Sequence, residues 1–409
     1  MFLFLKLFIW VFVSISEIYS LPIDPPEEIP VSVTGRIQAL YPDIDVFYSE
    51  LRERVSGIYK QIEQYRPRIE RAKQRDSFYS RIERESVLDG RGSYLVDPER
   101  LHLILEGLSG SYFLVDADQK NKFVVKPIDE DCSCMNNPKR RATLFLESQI
   151  RKDMPLYCSS LKEALTYEIA QNISVTSISP KTALAILESS RFSYLIDRVD
   201  FHRLDRCLEC GPFPREKLCS VQEFVEDSKS LFQVLEDLQQ RYAENSEEFA
   251  NRFDQAQFED LNLLIWTTYD TDAHSGNILV YVLGLDAEGN EIYGFKKIDN
   301  GLAFPEKNWQ LRNALGYLPN SKRPFSDRGR EKVRAIDVEI LAEKMKSYGL
   351  DGAIPALYER MSLLKELVER PNITIDEIGK EMTKLEDLYA PPHSSSKSFY
   401  SDILSNRVS

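Results

Sequence analysis

Residues 271–305 read TDAHSGNILVYVLGLDAEGNEIYGFKKIDNGLAFP, a stretch that contains two predicted strands and a turn. Ile278–Leu283 is a continuous apolar run of strand length, and Ile292–Ile298 is a second run rich in strand-forming residues. Asp286–Asn290 between them has the composition of a turn. The stretch therefore predicts an antiparallel β-hairpin.

The polar residues at the open end of this hairpin form a candidate reaction site. Asn277 and Asp299 each lie eleven residues from the centre of the turn, so antiparallel pairing predicts that they are neighbours. An amide oxygen and a carboxylate suit Mg²⁺ better than Zn²⁺. Asp272 can reach the same space as a base for a substrate hydroxyl. We therefore predict that Asp272 is catalytic and that Asn277 and Asp299 bind metal, with a merely solvated loop end as the alternative.

A second hairpin is predicted in residues 106–127, which read EGLSGSYFLVDADQKNKFVVKP. Two strand-forming runs, Ser111–Val115 and Phe123–Lys126, flank a polar turn at Asp116–Asn121. When the chain folds about the middle of this turn, the lysine that ends the second run lies opposite the serine that begins the first.

The loop ahead of this second hairpin is a candidate phosphate-binding loop. Gly107, Ser109, Gly110 and Ser111 are small enough for their backbone amides to approach phosphate oxygens, and Lys126 adds a positive charge beside them. A turn of this composition alone usually does no more than reverse the chain. The paired lysine favours a phosphate site.

Composition limits the possible functions. The chain has 409 residues, enough for two or three domains, and 52 basic against 65 acidic residues give a net charge of −13. This charge argues against a broad nucleic-acid-binding face. Six cysteines are too few for a disulfide scaffold, and Cys207-x2-Cys210 is a single CxxC pair that indicates zinc only weakly.

The order of these parts resembles that of the phosphatidylinositol 3- and 4-kinase superfamily, and most closely that of the type II phosphatidylinositol 4-kinases. The resemblance covers about residues 106–330, and its two most specific segments are Ile298–Pro305 and Leu318–Ser326. The other matching segments are Gly110–Phe113, Val125–Pro127, Asn137–Lys139, Phe192–Val199 and Gln222–Glu226. One departure is Ala273, which follows Asp272 where the family has arginine.

The resemblance implies an α+β fold with two lobes, a bilobal kinase-like fold. A smaller lobe with an antiparallel sheet would span residues 91–225, and a mainly helical larger lobe would span residues 226–390. ATP would lie between them with Mg²⁺, or with Mn²⁺ as the alternative, and Gln222 and the backbone near Val225 would contact adenine. The implied reaction is phosphorylation of phosphatidylinositol, at the 4-position of the inositol ring. A protein kinase of the same fold and a nucleotide-binding pseudokinase scaffold without turnover are the alternatives.

A kinase of this kind pairs its ATP lysine with a glutamate on a helix. Apolar spacing predicts helices at Ala142–Lys152 and Leu161–Ala170, which carry three candidates, Glu147, Glu163 and Glu168. The sequence does not decide among them, and we favour Glu163.

Residues 306–334 are basic within this acidic chain, with eight Lys and Arg against three Asp and Glu. Lys322, Arg323, Trp309 and Phe325 lie in this stretch, and such a mixture of cations and aromatic rings suits contact with anionic lipid headgroups. With the family resemblance, we predict that these four residues contact phosphatidylinositol in a membrane surface. A solvated, charged helix start with aromatic residues in the core is the alternative.

The two ends of the chain differ from its middle in composition. Residues 1–20 hold an apolar run behind Lys6, which is typical of a signal peptide and too short to span a bilayer. They predict an exported protein that is peripheral at membranes, with a cytoplasmic protein as the alternative. Residues 21–90 predict a proline-rich linker and a charged amphipathic helix at 46–70, and residues 391–409 predict a mobile, serine-rich tail.

Overall fold

The computed structural model describes residues 60–107, 109–131, 137–139, 158–192, 216–242, 246–308, 311 and 315–385. All of these belong to one compact unit. The predicted signal-peptide segment, the linker and the serine-rich tail lie outside them, as do Trp309, Glu147 and the Cys207-x2-Cys210 pair. Of the amphipathic helix predicted at 46–70, the described part is helical.

The first half of the described chain forms a seven-stranded sheet. The strand order is β1-β2-β6-β7-β5-β4-β3, and neighbouring strands are antiparallel except β2 and β6, which are parallel. The strands are β1 (Val87–Leu88), β2 (Tyr94–Leu95), β3 (Leu101–Leu103), β4 (Tyr112–Val115), β5 (Asn121–Pro127), β6 (Thr182–Glu188) and β7 (Glu216–Glu223). Three helices accompany this sheet: α1 (60–73), α2 (Ser77–Arg84) and α3 (Ser159–Asn172).

The second half is mainly helical and contains a small three-stranded sheet of order β10-β9-β8. The chain is thus a mixed α+β protein with a helical C-terminal part, as predicted. The elements are β8 (Lys229–Ser230), α4 (Leu231–Tyr242), α5 (Ser246–Asn251), α6 (Gln255–Thr268), β9 (Ile278–Leu285), β10 (Glu291–Lys297), α7 (Asp327–Ala335), α8 (Val338–Ser347), α9 (Ile354–Leu367) and α10 (Ile375–Thr383). Within the described ranges, no helix combines the length and apolarity needed to cross a bilayer.

The hairpin of β4 and β5 has the predicted register. Tyr112 pairs with Val125, and Ile104 N–H donates to the Ser111 carbonyl at 2.8 Å on the other side of β4. A bulge after Leu114 shifts the register only toward the turn. The end of the hairpin that carries the predicted lysine is therefore placed as the sequence indicates.

The hairpin of β9 and β10 differs from the prediction by one residue. A bulge between Ile292 and Tyr293 shifts the register, so that Ile298 N–H, and not that of Asp299, donates to the Asn277 carbonyl at 3.0 Å. The predicted direct pairing of Asn277 with Asp299 is therefore wrong. A β-bulge places two residues of one strand opposite one residue of its partner, and this accounts for the shift.

Helix α6 forms the centre of the helical part. Asp254 caps its first turn by accepting from Gln257 N–H at 2.7 Å, and Tyr269 ends it in the left-handed conformation, with φ of 49°. The helix is buried on nearly all sides, and the ring of Trp266 packs 6.0 Å from that of Phe325. A helix buried on nearly all sides belongs to the protein interior.

The start of α3 is held by a buried carboxylate. Asp131 accepts from Ser159 N–H at 3.3 Å and also from the Ser159 hydroxyl. Burial raises the pKa of Asp131 from 3.8 to about 6, although the bonds from Ser159 oppose this shift. In the same turn, the Ser160 hydroxyl donates to the Lys126 carbonyl at 2.6 Å, which ties α3 to β5.

Replacing Trp266 with alanine should lower the free energy of unfolding by about 3–5 kcal/mol, because a large side chain is removed from a closed core. Urea denaturation measures this change. Leu285→Ala is the matched control, since Leu285 is 66% exposed and its loss should cost less than about 0.5 kcal/mol. Equal losses in the two variants would contradict this description of the core.

Asp131→Asn should change how stability depends on pH. Because the folded-state pKa of Asp131 is raised, its contribution to stability is fully present below about pH 4 and is lost as the pH rises through about 6. The unfolding free energy of the wild type relative to the variant should therefore fall by up to about 3 kcal/mol between pH 4 and pH 7. A difference that does not change with pH would overturn the assignment.

Candidate functional site

Lys126 is the centre of the candidate site. Its Nζ lies 2.5 Å from Glu163 Oε1 and 2.8 Å from Asp299 Oδ1. The lysine is on β5, Glu163 is in the second turn of α3, and Asp299 follows β10. The structure thus brings together the lysine and the carboxylate that the two predicted hairpins supply, and Glu163 is the glutamate that pairs with the lysine.

Charge attraction fixes the protonation states of this group. Burial alone would lower the pKa of Lys126, but the carboxylates of Asp299 and Glu163 raise it above its ordinary value. The Lys126 ammonium in turn holds the pKa of Asp299 below its ordinary value. The lysine is therefore a cation and Asp299 an anion at neutral pH.

The segment after β10 has an unusual backbone. Asp299 has φ of 56° and the buried Phe304 has φ of 52°, and a bulky residue rarely adopts this left-handed conformation. Phe304 N–H donates to the Thr268 carbonyl at 2.8 Å, which anchors the segment to the end of α6. Between these positions, Asn300 Nδ2 donates to Glu163 Oε2 at 3.1 Å. Both oxygens of Glu163 are thus bonded, one to the lysine and one to this segment.

Asp272 and Asn277 lie in one loop and contact each other. Asn277 Nδ2 donates to the Asp272 carbonyl at 3.0 Å and to Asp272 Oδ2 at 3.3 Å. His274 closes the loop, with its Nδ1 accepting from Gly276 N–H at 3.0 Å and its Nε2 3.9 Å from Asp272 Oδ2. His274 also lies near enough to Asp299 to help lower the pKa of that carboxyl. The predicted catalytic residue therefore contacts one predicted metal ligand, Asn277, and its loop acts electrostatically on the other, Asp299, through His274.

A buried ion pair supports this loop. Lys297 Nζ lies 2.5 Å from Asp270 Oδ2, and both side chains are 1% exposed. Asp270 Oδ1 accepts from Asp272 N–H at 2.9 Å, while Lys297 Nζ donates to the Ile298 carbonyl at 2.6 Å. One ion pair thus links the backbone of the Asp272 loop to the backbone that leads into Asp299. The sequence patterns predicted no role for either member of this pair.

The donor groups at Asn277 and Asp299 suit a magnesium ion. The Asn277 amide nitrogen is directed at Asp272, which leaves the amide oxygen as its ligand atom. The Asp299 side chain is 48% exposed, and only one of its oxygens is in contact with Lys126. One amide oxygen and one carboxylate oxygen leave positions for water and phosphate oxygens, which Mg²⁺ commonly retains.

The predicted phosphate loop joins β3 to β4, and one of its four residues does not fit the prediction. Gly110 N–H donates to the Glu130 carbonyl at 2.7 Å and so is not directed at a ligand. A Cβ at this position would lie 2.4 Å from Glu130 Oε2, so the glycine is required for close packing. Gly107, in contrast, is exposed, with φ of 76° and open space around it. Ser109 is half-buried and Ser111 is buried at the start of β4.

Lys139 also reaches this loop, although the sequence predicted no site role for it. Its Nζ donates to the Glu106 carbonyl at 2.5 Å and lies 3.4 Å from the Gly107 carbonyl. Burial lowers the pKa of Lys139, and the charges of Asp299 and Lys126 both act on it. A second lysine therefore stands at the loop, within electrostatic range of the Lys126 group. The sequence signal that could have indicated this role is the position of Lys139 in the Asn137–Lys139 segment, which matches the family.

Gln222 and Val225 lie at the end of β7, beside β5. Gln222 is buried and its Nε2 donates to Thr182 Oγ1 at 3.1 Å, so its side chain serves sheet packing. Val225 is half-buried in the segment that follows the strand, and its carbonyl accepts from the Ser228 hydroxyl at 2.8 Å. Phe224 N–H donates to the Lys122 carbonyl at 2.9 Å, which fixes this segment against β5.

The basic stretch at 306–334 differs from the prediction. Phe325 is 2% exposed and packs in the core, so it does not present its ring to a membrane. Most of the described cations have partners within the protein, because acidic or amide side chains distant in sequence fold against them. Those partners are Asp376 for Lys322, Asn251 for Arg323, Asp260 for Arg328 and Lys332, and Glu369 for Arg334.

Comparison with known proteins relates the chain to lipid kinases, although no family model matches it. It is 32% identical to phosphatidylinositol 4-kinase type 2-alpha of Danio rerio over 267 residues, which cover 58% of each protein. It is 30% identical to phosphatidylinositol 4-kinase type 2-beta of Mus musculus, over 58% of this chain and 56% of the relative. It is 27% identical to phosphatidylinositol 4-kinase type 2-alpha of Xenopus laevis, over 74% of this chain and 75% of the relative.

The match is thus partial as well as distant. The chain spans little more than half the length of the first two of these relatives. The family of these relatives is the one that the sequence motifs resemble. The chain is a distant homologue of the type II phosphatidylinositol 4-kinases.

Proposed function

We propose that this protein is an ATP-dependent lipid kinase that phosphorylates the inositol ring of phosphatidylinositol at the 4-position. The observation that carries the proposal is the pair of contacts made by Lys126, to Glu163 at 2.5 Å and to Asp299 at 2.8 Å. A lysine paired with a helix glutamate, beside a metal-binding aspartate, is the arrangement that phosphoryl transfer requires. The distant homology supports the lipid substrate.

In this proposal the fold is that of a bilobal kinase. The seven-stranded sheet with α3 would form the smaller lobe and the helical part the larger one. ATP would lie between them, with adenine at the backbone near Val225. Its phosphates would meet Lys126, the amides around Gly107 and the ammonium of Lys139, which would exchange its two backbone carbonyls for phosphate oxygens.

The reaction gives tasks to Asp272, Asn277 and Asp299. An inositol hydroxyl attacks the γ-phosphorus, the bond from that phosphorus to the bridging oxygen breaks, and ADP leaves. Asp272 accepts the hydroxyl proton and orients the attacking oxygen. Mg²⁺, held by Asn277 and Asp299, would supply neutralisation of the phosphate charge when bound. Asn277 also fixes Asp272 through the 3.0 Å and 3.3 Å contacts.

A nucleotide-binding scaffold without turnover is the second candidate. Ala273 favours it, because this residue stands where the type II relatives have arginine and is fully buried. A buried alanine cannot supply the positive charge that an arginine would provide. His274, adjacent to it and 3.9 Å from Asp272, could supply charge in its place.

Asp299→Ala and Asp272→Asn should each lower phosphate transfer to phosphatidylinositol vesicles by at least about 100-fold. The first change removes a metal ligand and the second removes the proton acceptor. Transfer of radiolabelled phosphate from ATP in the presence of Mg²⁺ measures the effect, with a general protein substrate assayed in parallel.

Gln257→Ala is a suitable folding control, because Gln257 bonds β10 and Tyr281 away from Lys126 and should retain most of the activity. Phosphate on protein but not on lipid would replace the proposal with a protein kinase. ATP binding without consumption, unchanged by Asp272→Asn, would establish the scaffold.

Membrane contact is proposed through Lys322 and Arg323 of the basic stretch. The Lys322 side chain is 59% exposed in spite of its bond to Asp376, and Arg323 is half-buried against Asn251. Bonds of this kind at a surface are weak, so both cations can exchange them for lipid phosphate.

The double change Lys322→Glu and Arg323→Glu should weaken binding to anionic phosphatidylinositol vesicles at low salt by about tenfold or more, since each cation near a membrane surface contributes about 1 kcal/mol. Vesicle sedimentation measures it. Arg334→Glu serves as the control, because it reverses one charge of the same stretch at a residue paired with Glu369. Equal effects of the control and the double change would remove these two residues from the membrane contact.

A further inference from the structure

Helix α1 lies outside the segments that carry the family resemblance, yet it is part of the folded core. Its residues Ile62, Tyr65 and Ile69 are 1%, 3% and 1% exposed. These positions recur every three or four residues and form one buried face. The helix therefore packs permanently on the rest of the protein, and its polar side chains can hold neighbouring elements in place.

Arg68 of α1 is bonded to the helix that carries Glu163. Its Nη2 lies 2.6 Å from Oε1 of Glu168, which is five residues after Glu163 on α3. The Arg68 guanidinium also lies 3.9 Å above the Tyr348 ring, and its Nη1 donates to Ser347 Oγ at 3.1 Å. One arginine thus joins α1, α3 and the end of α8.

Glu168 has two side-chain partners besides Arg68, and both lie at the end of α8. Tyr348 Oη donates to Glu168 Oε1 at 2.7 Å, and Lys344 Nζ lies 3.1 Å from Glu168 Oε2. Burial would raise the pKa of Glu168, but Arg68, Tyr348 and Lys344 together lower it. The carboxylate is therefore charged and bonded on both oxygens, which fixes the C-terminal half of α3.

The opposite end of α3 is held by Asp131 and by the bond from Ser160 to the Lys126 carbonyl. With both ends held, a rotation or shift of α3 would have to break one of these groups of bonds. Glu163 lies between them, and its 2.5 Å contact with Lys126 depends on the position of the helix. Of these two groups of bonds, the one at Glu168 includes a bond from α1, a helix that does not line the proposed ATP site.

We infer that Arg68 is a positioning residue, which holds α3 through Glu168 so that Glu163 can pair with the ATP-binding lysine. The α1 helix thereby becomes a brace for the nucleotide site, although it does not line that site. This inference rests on the proposed function for its consequence in ATP binding. The effect of Arg68 on α3 does not depend on ATP and can be measured separately.

The first experiment tests the brace without reference to activity. In the full chain, Arg68→Ala should speed hydrogen exchange of the α3 amides by about tenfold, because the bond that joins α1 to Glu168 is lost. Arg66→Ala is the matched control on the same helix, since Arg66 pairs with Glu216 of β7 at 3.0 Å and does not bond α3. Faster exchange of α3 in both variants, or in neither, would overturn the inference.

The second experiment tests the consequence for the nucleotide. Calorimetric titration with Mg²⁺ and ATP should show an affinity about tenfold weaker in Arg68→Ala than in the wild type. In a Glu163→Gln background, the same change should have little further effect, because Arg68 acts through Glu163. Arg68→Lys should recover part of the affinity.

The two failures are distinguishable. If the wild type binds no ATP, the proposed function fails, and the exchange experiment still decides whether Arg68 holds α3. If the wild type binds ATP but Arg68→Ala weakens binding equally in both backgrounds, or does not weaken it, Arg68 has only a general effect on stability and the inference is wrong.

Discussion

The ammonium group of Lys126, held between the carboxylates of Glu163 and Asp299, is the interaction on which the site depends. It joins a strand of the sheet, a helix packed on that sheet and the segment that follows β10. Two carboxylates placed this close together would repel each other without a cation between them. The pairing therefore favours one relative placement of three elements that are far apart in sequence. It also presents a positive and a negative group to the same space, which a metal–nucleotide complex needs.

Two further buried ion pairs hold the surroundings of that space. Lys297 with Asp270 joins the Asp272 loop to the end of β10, and Lys217 with Glu130 lies below the phosphate loop, with Nζ and Oε1 at 2.7 Å. Burying such pairs costs desolvation free energy, so they are better understood as fixing geometry than as adding stability. The glycine packed against Glu130 and the left-handed residues after β10 belong to the same rigid frame.

Local sequence patterns were sufficient to predict both hairpins, whereas a glutamate partner for Lys126 was expected only from the family resemblance, with three candidates left open. Strand-forming runs and turn composition place these elements, and the register of β4 with β5 follows from them. The β9–β10 bulge could not be predicted, because one inserted residue leaves the apolar pattern almost unchanged. Nor could the burial of Phe325 or the pairing of Arg328 with Asp260, which depend on contacts between residues more than 50 positions apart. Charge counted along a sequence does not reveal which cations are neutralised in the fold.

The most direct test of this account is calorimetric titration of Mg²⁺ and ATP into the wild type and into Lys126→Met, which keeps the length of the side chain and removes its charge. We expect saturable binding to the wild type, and an affinity weaker by about tenfold or more in the variant because a charge-assisted contact to phosphate is lost. Equal affinities in the two proteins, with both shown to be folded by circular dichroism, would contradict it.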